Sequence, residues 1–348
     1  MRILVVHPGP NFSVQDVHDG WVEGFEQLGH EVQQYNLGDR LTWASVAHLG
    51  MDDGTYIKAF PKTENVYSFA ISGLPQAALY WWPQLIVFIS GFTVDPQFLE
   101  VCRGRGIKTA CVMTESPYEE SRQLLIAPHF DAVALNDPTN MGQYATLTTA
   151  VYTPHAYRPD IHFEGEAHED YLSDCVFVGT GYPSRVAFLE RCNFDGIDLA
   201  LAGNWQNVPT VLSDRVVHDI EDCIDNVQTA ELYRGAKTSF NIYRTETNGD
   251  VVDGCDGWSV GPREIELAAS GTWFARQSRG ESDELFPMLP TFNSPEELGE
   301  LIRWALENPV ERQIAAQQAK RVVTDRTFPN NARKLLEACG LVKEEAHG

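Results

Sequence analysis

The segment Gly261-Pro-Arg-Glu-Ile-Glu-Leu-Ala-Ala-Ser-Gly271 carries the clearest structural signal in this sequence. Pro262 suits the first turn of a helix and Gly271 suits a left-handed C-cap, so the segment predicts a helix that begins near Arg263. The N–H groups of a helix N-terminus and the Arg263 guanidinium both attract phosphate oxygens. Glu266, one turn further on, can accept hydrogen bonds from a sugar diol. The segment therefore indicates a nucleotide-sugar site, although an amphipathic helix with a surface Arg–Glu pair would show the same pattern.

Short apolar segments that alternate with helical patterns predict parallel sheets on both sides of this helix. In the first half the predicted strands are 2–6, 31–35, 85–89, 108–113, 131–135 and 149–153, and the predicted helices lie near 17–28, 96–105, 119–127 and 139–145. In the second half the predicted strands are 175–178, 199–202, 238–242, 271–275 and 289–292, and further helices are predicted at 295–308, 309–323 and 330–339. The polar segment 158–170 lacks a clear periodicity, which predicts a linker between two domains.

Composition and charge exclude several classes of protein. A chain of 348 residues is long enough for two domains. The net charge of −23 and the absence of a Lys/Arg block argue against a nucleic-acid partner. No apolar run is long enough for a transmembrane helix, and the first predicted strand begins at Arg2, so a signal peptide is not expected. The seven cysteines are scattered without CxxC spacing, which predicts reduced thiols and a cytoplasmic location.

Several segments occur in one order along nearly the whole chain, and their order carries a resemblance. They are Arg2–Val6, Leu28–Val32, Gly106–Glu119, Phe130–Asp137, Tyr152–Ala156, Phe177–Gly179, Leu232–Asn241, the 261–271 segment, Glu284–Phe286 and a helical C-terminus. In this order the sequence resembles the two-domain GT-B glycosyltransferases and, within them, the spore-maturation CgeB-like branch. The resemblance is strongest over 106–160 and 230–340.

The resemblance implies an α/β fold with two Rossmann-like parallel-sheet domains that face each other across a cleft. The expected N-terminal domain is 1–160, on the acceptor side, and the expected nucleotide-sugar donor domain is 171–324. The C-terminal helix, within 325–348, is expected to cross back to the first domain.

On the donor side, the turn after the first strand of the second domain carries Gly179 and Gly181. Glycines there let backbone N–H groups approach a diphosphate, and Arg185 could neutralise the diphosphate charge. A plain tight turn is the alternative. Ser184 replaces the third glycine of the dinucleotide fingerprint, and the next strand does not end on an acid, so the pattern does not favour a nicotinamide site.

Two more donor-side segments complete the expected site. Asn204 and Trp205 follow the next strand, where ligands of open α/β sheets gather, and the tryptophan ring either faces a nucleobase or packs at the edge. Arg263 is expected to bind the diphosphate, and the resemblance assigns Glu266 to the donor ribose. Retaining relatives often carry a second glutamate eight positions before the first. This chain has Trp258 there, which leaves donor-sugar recognition and the stereochemical outcome open.

In the first domain the resemblance implies that a histidine near the start of the first helix acts as the base in inverting enzymes. His18 stands there, with Asp19 beside it. The alternative is that Asp16 is the helix N-cap and His18 is a surface residue. Glu115 follows a predicted strand and corresponds to a position that contacts the donor sugar or the acceptor in related enzymes.

These residues predict a metal-independent glycosyltransferase. It would move a sugar from a UDP-, GDP- or dTDP-sugar to a hydroxyl group of a protein, a glycan or a small molecule. The sequence has no Asp-x-Asp pair, which holds Mn²⁺ or Mg²⁺ in transferases of the other main architecture, so no metal and no other cofactor is expected. Two alternatives stay open: a nucleotide-sugar epimerase of GT-B architecture, and a non-catalytic sugar-nucleotide-binding protein.

Overall fold

The computed structural model describes residues 1–9, 14–47, 51–52, 55–56, 63–206, 208–220, 224–247, 250–251 and 257–342. The chain forms two compact units, and each has an apolar core. The first unit contains residues 1–154 and the C-terminal residues from Phe328 onward, and the second contains His155–Thr327.

The first unit is built on a parallel sheet. Its strands are β1 (Arg2–Val6), β2 (Glu31–Tyr35), β3 (Met51–Asp52), β4 (Thr55–Tyr56), β5 (Leu85–Ile89), β6 (Lys108–Met113), β7 (Ala132–Leu135) and β8 (Thr149–Tyr152). The sheet order is β2-β1-β5-β6-β7-β8 and every neighbouring pair is parallel, while β3 and β4 form a separate antiparallel pair. The strand β5 is buried at every residue, as expected for a strand that is covered on both faces.

The helices of the first unit connect its strands along the chain. They are α1 (Gln15–Gln27), α2 (Leu37–Ala47), α3 (Thr63–Ile71), α4 (Leu74–Trp81), α5 (Pro96–Gly104), α6 (Glu120–Ile126) and α7 (Met141–Tyr144). The predicted strands of this half are confirmed to within one residue. The predicted helix at 139–145 is instead a 3₁₀ turn at Pro138–Asn140 followed by the single turn of α7.

The second unit is built on a smaller parallel sheet. Its strands are β9 (Ser173–Val178), β10 (Leu199–Ala202), β11 (Ala236–Asn241), β12 (Glu246–Thr247), β13 (Asp250–Val251) and β14 (Trp273–Arg276). The sheet order is β10-β9-β11-β14, all parallel, while β12 and β13 form a separate antiparallel pair. Its helices are α8 (Pro183–Leu189), α9 (Thr210–Ser213), α10 (Asn226–Gly235), α11 (Pro262–Ala269), α12 (Gly280–Leu285), α13 (Pro295–Glu307) and α14 (Pro309–Val322).

The predicted fifth strand of this unit, 289–292, is wrong. The segment makes only an isolated parallel bridge, between Thr291 and Arg276. Pro290 explains this difference because a proline has no N–H to donate to a neighbouring strand.

The last helix, α15 (Phe328–Ala338), packs on α1 in the first unit, which confirms the predicted return of the C-terminus. Two glycines of α1 make the close approach possible. A Cβ atom on Gly20 would lie 2.3 Å from the Phe328 ring, and one on Gly24 would lie 2.8 Å from the Phe328 backbone. Larger residues at these two positions would therefore push α15 away.

None of the described helices has the length and apolar run that crossing a membrane requires. The cysteines in the described ranges (Cys102, Cys111, Cys175, Cys192 and Cys339) are free thiols, while Cys223 and Cys255 lie outside those ranges.

His162, in the second unit, is a buried histidine with a strongly shifted pKa. Its side chain is 2% exposed, and its Nδ1 accepts a hydrogen bond of 3.4 Å from the Arg158 backbone. Burial, together with the charges of Arg158 and Arg234, lowers its pKa from 6.5 to about 3. The folded protein therefore holds this ring neutral, while the unfolded chain protonates it below pH 6.5. Stability from this group is lost as the pH falls from 6.5 towards 3.

We expect His162→Gln to reduce the acid sensitivity of folding, because glutamine can still accept from Arg158 but does not take up a proton. Between pH 7 and pH 5 the parent should lose about 2 kcal/mol of unfolding free energy more than the variant does. Urea unfolding at both pH values measures the difference. His168→Gln, at an exposed histidine, serves as the control and should behave as the parent. Equal losses in parent and His162→Gln would show that this ring does not titrate as described.

Candidate functional site

The carboxyl ends of β9, β10 and β11 lie at one edge of the second sheet, because the three strands are parallel and β9 lies between the other two. The turns that follow β9 and β10 are in close contact there. Gly203 has a φ of +109°, and a Cβ atom on it would lie 2.4 Å from the Gly179 carbonyl oxygen. A Cβ atom on Gly179 would lie 2.5 Å from Nη2 of Arg263. The guanidinium of Arg263 therefore rests directly on the backbone of the first turn.

Arg263, in the first turn of α11, is held at this edge by two contacts. Its Nη1 donates to Oδ1 of Asn241, the last residue of β11, at 2.8 Å. Its guanidinium carbon lies 5.0 Å from the centre of the Phe177 ring. Arg263 is only half-buried, and it stands in the first turn of α11, where a helix N-terminus favours anions.

Glu264 supports this arrangement from the interior, and sequence reasoning missed it. Its side chain is fully buried, and its carboxylate accepts hydrogen bonds from Asn241 Nδ2, Tyr243 Oη and Ser282 Oγ. Burial raises the pKa of Glu264, while these hydrogen bonds oppose the rise. Because Asn241 donates its amide to Glu264, its Oδ1 is turned towards Arg263. The helical spacing of Glu264 with the buried Leu267 and Ala268 was the signal that could have revealed it.

Glu266 lies on α11 one turn after its first residues and is half-buried. Its contact with a donor ribose stays a prediction. Trp258, in the segment before α11, packs its ring on Gly280, where a Cβ atom would lie 2.1 Å from the ring. The Trp258 carbonyl also accepts from the Glu281 backbone at 2.9 Å. The position that often carries a second glutamate in retaining relatives thus carries a packed aromatic ring.

Arg185 is nearly buried, at 5% exposure, and its guanidinium contacts backbone carbonyls. Nη1 donates to Thr180 at 3.0 Å and Nη2 donates to Ile242 at 2.7 Å. In this conformation Arg185 joins the turn after β9 to the residue that follows β11. Direct contact of Arg185 with a diphosphate stays a prediction and requires the side chain to leave these carbonyls.

Trp205 does not face a nucleobase, so that interpretation is wrong. Its side chain is 1% exposed, and its Nε1 donates to the Ala202 carbonyl at 2.9 Å. The ring packs beneath Gly181, where a Cβ atom would lie 2.6 Å from it. Asn204 is exposed, and its carbonyl accepts from the Gly181 N–H at 2.8 Å. The turn after β10 therefore supports the turn after β9, and a ligand contact of Asn204 stays a prediction.

In the first unit the structure brings His18 and Asp19 together with a second histidine, His7, at the end of β1. The Gly9 N–H donates to His7 Nδ1 at 3.1 Å, so Nε2 of His7 carries the proton and donates to Oε1 of Gln15. Gln15 in turn donates to Asp19 Oδ1 at 2.8 Å. The same carboxylate oxygen lies 3.0 Å from His18 Nδ1. This chain of bonds fixes the Asp19 carboxylate against His18.

His18 is 1% exposed, so the alternative that it is a surface residue is wrong. Asp16 is not the N-cap either, because α1 begins after Val14 without a side-chain cap. With Nδ1 donating to Asp19, the basic nitrogen of His18 is Nε2, which has no hydrogen-bond partner in the described part of the chain. Burial lowers the pKa of His7, whose ring centre lies 4.8 Å from that of His18.

Glu115 follows β6 at the carboxyl edge of the same sheet and belongs to another set of contacts. Its backbone N–H donates to Gln123 Oε1 at 3.0 Å, and its carboxylate accepts from Thr114 Oγ1 at 3.3 Å. Thr114 in turn bonds Ser90 at the end of β5. Since β5 lies between β1 and β6, Glu115 at the end of β6 is two strands away from His7 at the end of β1, to which Gln15 links the His18–Asp19 pair.

Among the described residues, no group of three or more His, Cys, Asp or Glu side chains is placed to hold a metal ion.

Comparisons with known proteins identify the fold. The model of a family described as glycosyl transferase-like matches residues 185–337. Sucrose-phosphate synthase from Thermosynechococcus elongatus superposes with a TM-score of 0.62 at 12% identity, over 97% of this chain and 98% of that one. Anabaena HepE in complex with UDP-glucose gives 0.61 at 12% identity, over 97% and 100%. A Listeria monocytogenes protein described as a UDP-N-acetylglucosamine 2-epimerase gives 0.59 at 12%, over 97% and 95%. No curated protein sequence matches the chain.

Proposed function

The chain has the GT-B fold, and we propose that it is a glycosyltransferase with a nucleoside diphosphate sugar as donor. The Arg263 guanidinium carries this proposal, since it rests on Gly179 and is held by Asn241 at the carboxyl edge of the second sheet. Ligands of open α/β sheets bind at this edge, and a guanidinium matches phosphate oxygens. A solved structure of similar fold contains UDP-glucose, which supports the same class of donor here.

In the proposed donor complex, Arg263 and the N-terminus of α11 bind the diphosphate and Glu266 binds the ribose. The glycines of the two turns leave room for Arg263 and Trp205 to pack against the backbone, and the Gly179 and Gly181 N–H groups donate to the Ala202 and Asn204 carbonyls. Arg263 and the N-terminus of α11 could stabilise the leaving nucleoside diphosphate without a metal ion.

On the acceptor side, we propose that the His18–Asp19 pair activates a hydroxyl group. Asp19 accepts from Nδ1 and so keeps Nε2 as the nitrogen that receives a proton. Glu115 is the second candidate for this role. A base that activates the acceptor hydroxyl corresponds to inversion, and retention is the alternative outcome. The acceptor is proposed to be a protein, a glycan or a small molecule with a free hydroxyl.

Membership of the CgeB-like branch and a cytoplasmic location of the protein also stay predictions.

An epimerase is the second candidate, because a protein described as a UDP-N-acetylglucosamine 2-epimerase shares the fold. It would use the same donor site without an acceptor. Incubation with nucleotide sugars in the absence of an acceptor separates the two candidates. An epimerase converts the nucleotide sugar into its epimer, whereas a transferase does not form this epimer. Binding without turnover over a panel of acceptors would indicate a non-catalytic binding protein instead.

We expect UDP, GDP or dTDP to raise the melting temperature, and EDTA not to remove this shift. At about one hundred times its dissociation constant, such a ligand adds about 2.7 kcal/mol to the unfolding free energy. A thermal-shift screen with the three nucleotides, with and without EDTA, measures the effect. The absence of a shift at millimolar concentration with all three would count against a donor site, and a shift that EDTA abolishes would count against metal-independent binding.

A further inference from the structure

Near the edge of the second sheet, Arg263 and Arg279 differ from Arg276 and Arg326 in their charged partners. Within the described ranges neither forms an ion pair with a carboxylate, whereas Arg276 pairs with Asp283 and Arg326 pairs with Glu281. The protein carries a net charge of −23, so carboxylates are abundant. Two guanidinium groups that lack a carboxylate at a ligand-binding edge indicate an anionic ligand.

Arg279 lies in the segment between β14 and α12, at the carboxyl end of β14. Its guanidinium carbon lies 4.3 Å from the centre of the Tyr243 ring, and its Nε donates to the Gly257 carbonyl. These contacts use the face and one N–H of the guanidinium. For the two terminal nitrogens of Arg279, the described part of the chain shows no hydrogen-bond acceptor.

The buried carboxylate of Glu264 binds the two side chains that contact Arg263 and Arg279. Its Oε1 accepts from Asn241 Nδ2 and also from Tyr243 Oη. Asn241 holds Arg263 by a hydrogen bond, and Tyr243 carries Arg279 on its ring. Since Asn241 and Tyr243 are two residues apart at the end of one strand, their side chains belong to the same stretch of this edge.

The segment that carries Arg279 is also held in place. Gln277 Oε1 accepts from the Tyr243 backbone at 2.9 Å, and the Arg279 carbonyl accepts from the Asp283 backbone at 2.8 Å. Ser278 donates to the Asp283 carboxylate. Arg279 is therefore positioned before any ligand binds, which lowers the entropy cost of ordering it on binding.

We propose that Arg279 and Arg263 together bind the diphosphate of the donor, with Glu264 as the residue that positions both. This inference rests on the proposed function and extends it with a second binding residue. Two planar guanidinium groups can take oxygens of both phosphate groups, and their charges offset those of the diphosphate without a metal ion.

The test compares the affinity of UDP with that of uridine, by titration calorimetry, for the parent, Arg279→Met, Arg279→Lys and Arg263→Met. Arg303→Met is the matched control, because Arg303 is also partly exposed in this unit and, among the described residues, its guanidinium donates to Gly299, Asn193 and Asp195, away from the proposed site. We expect Arg279→Met to weaken UDP about tenfold or more and to leave uridine unchanged. Arg279→Lys should fall between parent and Arg279→Met, since it keeps the charge but loses the planar fork.

An unchanged ratio of UDP to uridine affinity in Arg279→Met would overturn the role of Arg279, and so would an equal loss for both ligands, because that pattern indicates a disturbed fold. In either case UDP binding by the parent would leave the proposed function in place. A parent that binds none of UDP, GDP and dTDP would contradict the proposed function and the arginine pair together.

Discussion

Replacing His18 or Asp19 by alanine should lower sugar transfer by about 10²–10⁴-fold and leave nucleotide affinity unchanged, because a general base typically contributes that factor. Glu115→Ala should do the same if Glu115 is the group that acts. Nucleotide affinity should stay constant because the three residues belong to the first unit, while the proposed donor residues belong to the second.

The measurement is turnover and UDP affinity for the three single variants. His18→Gln is added because His18 is buried and its alanine variant leaves a cavity. His168→Ala, at an exposed histidine of the second unit, is the control and should keep full turnover. Turnover equal to that of the parent in all three alanine variants would contradict a role of these residues in acceptor activation. Residues 40–80 would then be the next candidates for the acceptor surface.

Glu266→Ala should weaken nucleotide binding by roughly 1.5–3 kcal/mol, about 10–150-fold, because it removes a charged hydrogen bond to the ribose. The fold should be retained, since Glu266 is only half-buried. Calorimetric titration of UDP into Glu266→Ala and into Glu300→Ala, at an exposed glutamate of α13, measures the loss against a matched control.

A discriminating ligand sharpens this prediction. A ribose contact predicts that 2′,3′-dideoxy-UDP binds the parent as weakly as UDP binds Glu266→Ala, and that the variant does not discriminate between the two nucleotides. Parent-like UDP affinity in Glu266→Ala would show that the ribose assignment is wrong.

Periodicity predicted most of the parallel strands because their apolar runs are short, continuous and separated by turns. β5 is an example, since Pro83 and Gly91 bound its apolar run. The segment 289–292 has the same apolar character but fails as a strand, because Pro290 cannot donate to a neighbour. Helices α2 to α4 were not predicted, because their exposed faces carry residues such as Trp43 and Tyr80 that obscure the amphipathic period.

The candidate site was only partly predictable from sequence. Arg263 and Glu266 could be proposed as site residues because they stand in a recognisable helical segment, whereas Glu264, between them, was missed because a charged residue is rarely fully buried. His7 and Gln15 were missed for another reason: their hydrogen bonds to the His18–Asp19 pair depend on how α1 packs against the end of β1. Contacts between side chains on different helices and strands produce no regular spacing that could be recognised in the sequence.

We propose that a nucleoside diphosphate binds at the carboxyl edge of the second sheet, and a crystal structure of the protein with UDP would show its position. We expect the diphosphate within hydrogen-bonding distance of the Arg263 guanidinium, beside the Gly179 turn, and the ribose hydroxyls on Glu266. UDP bound elsewhere on the protein, with no contact to Arg263, would contradict the proposed donor site.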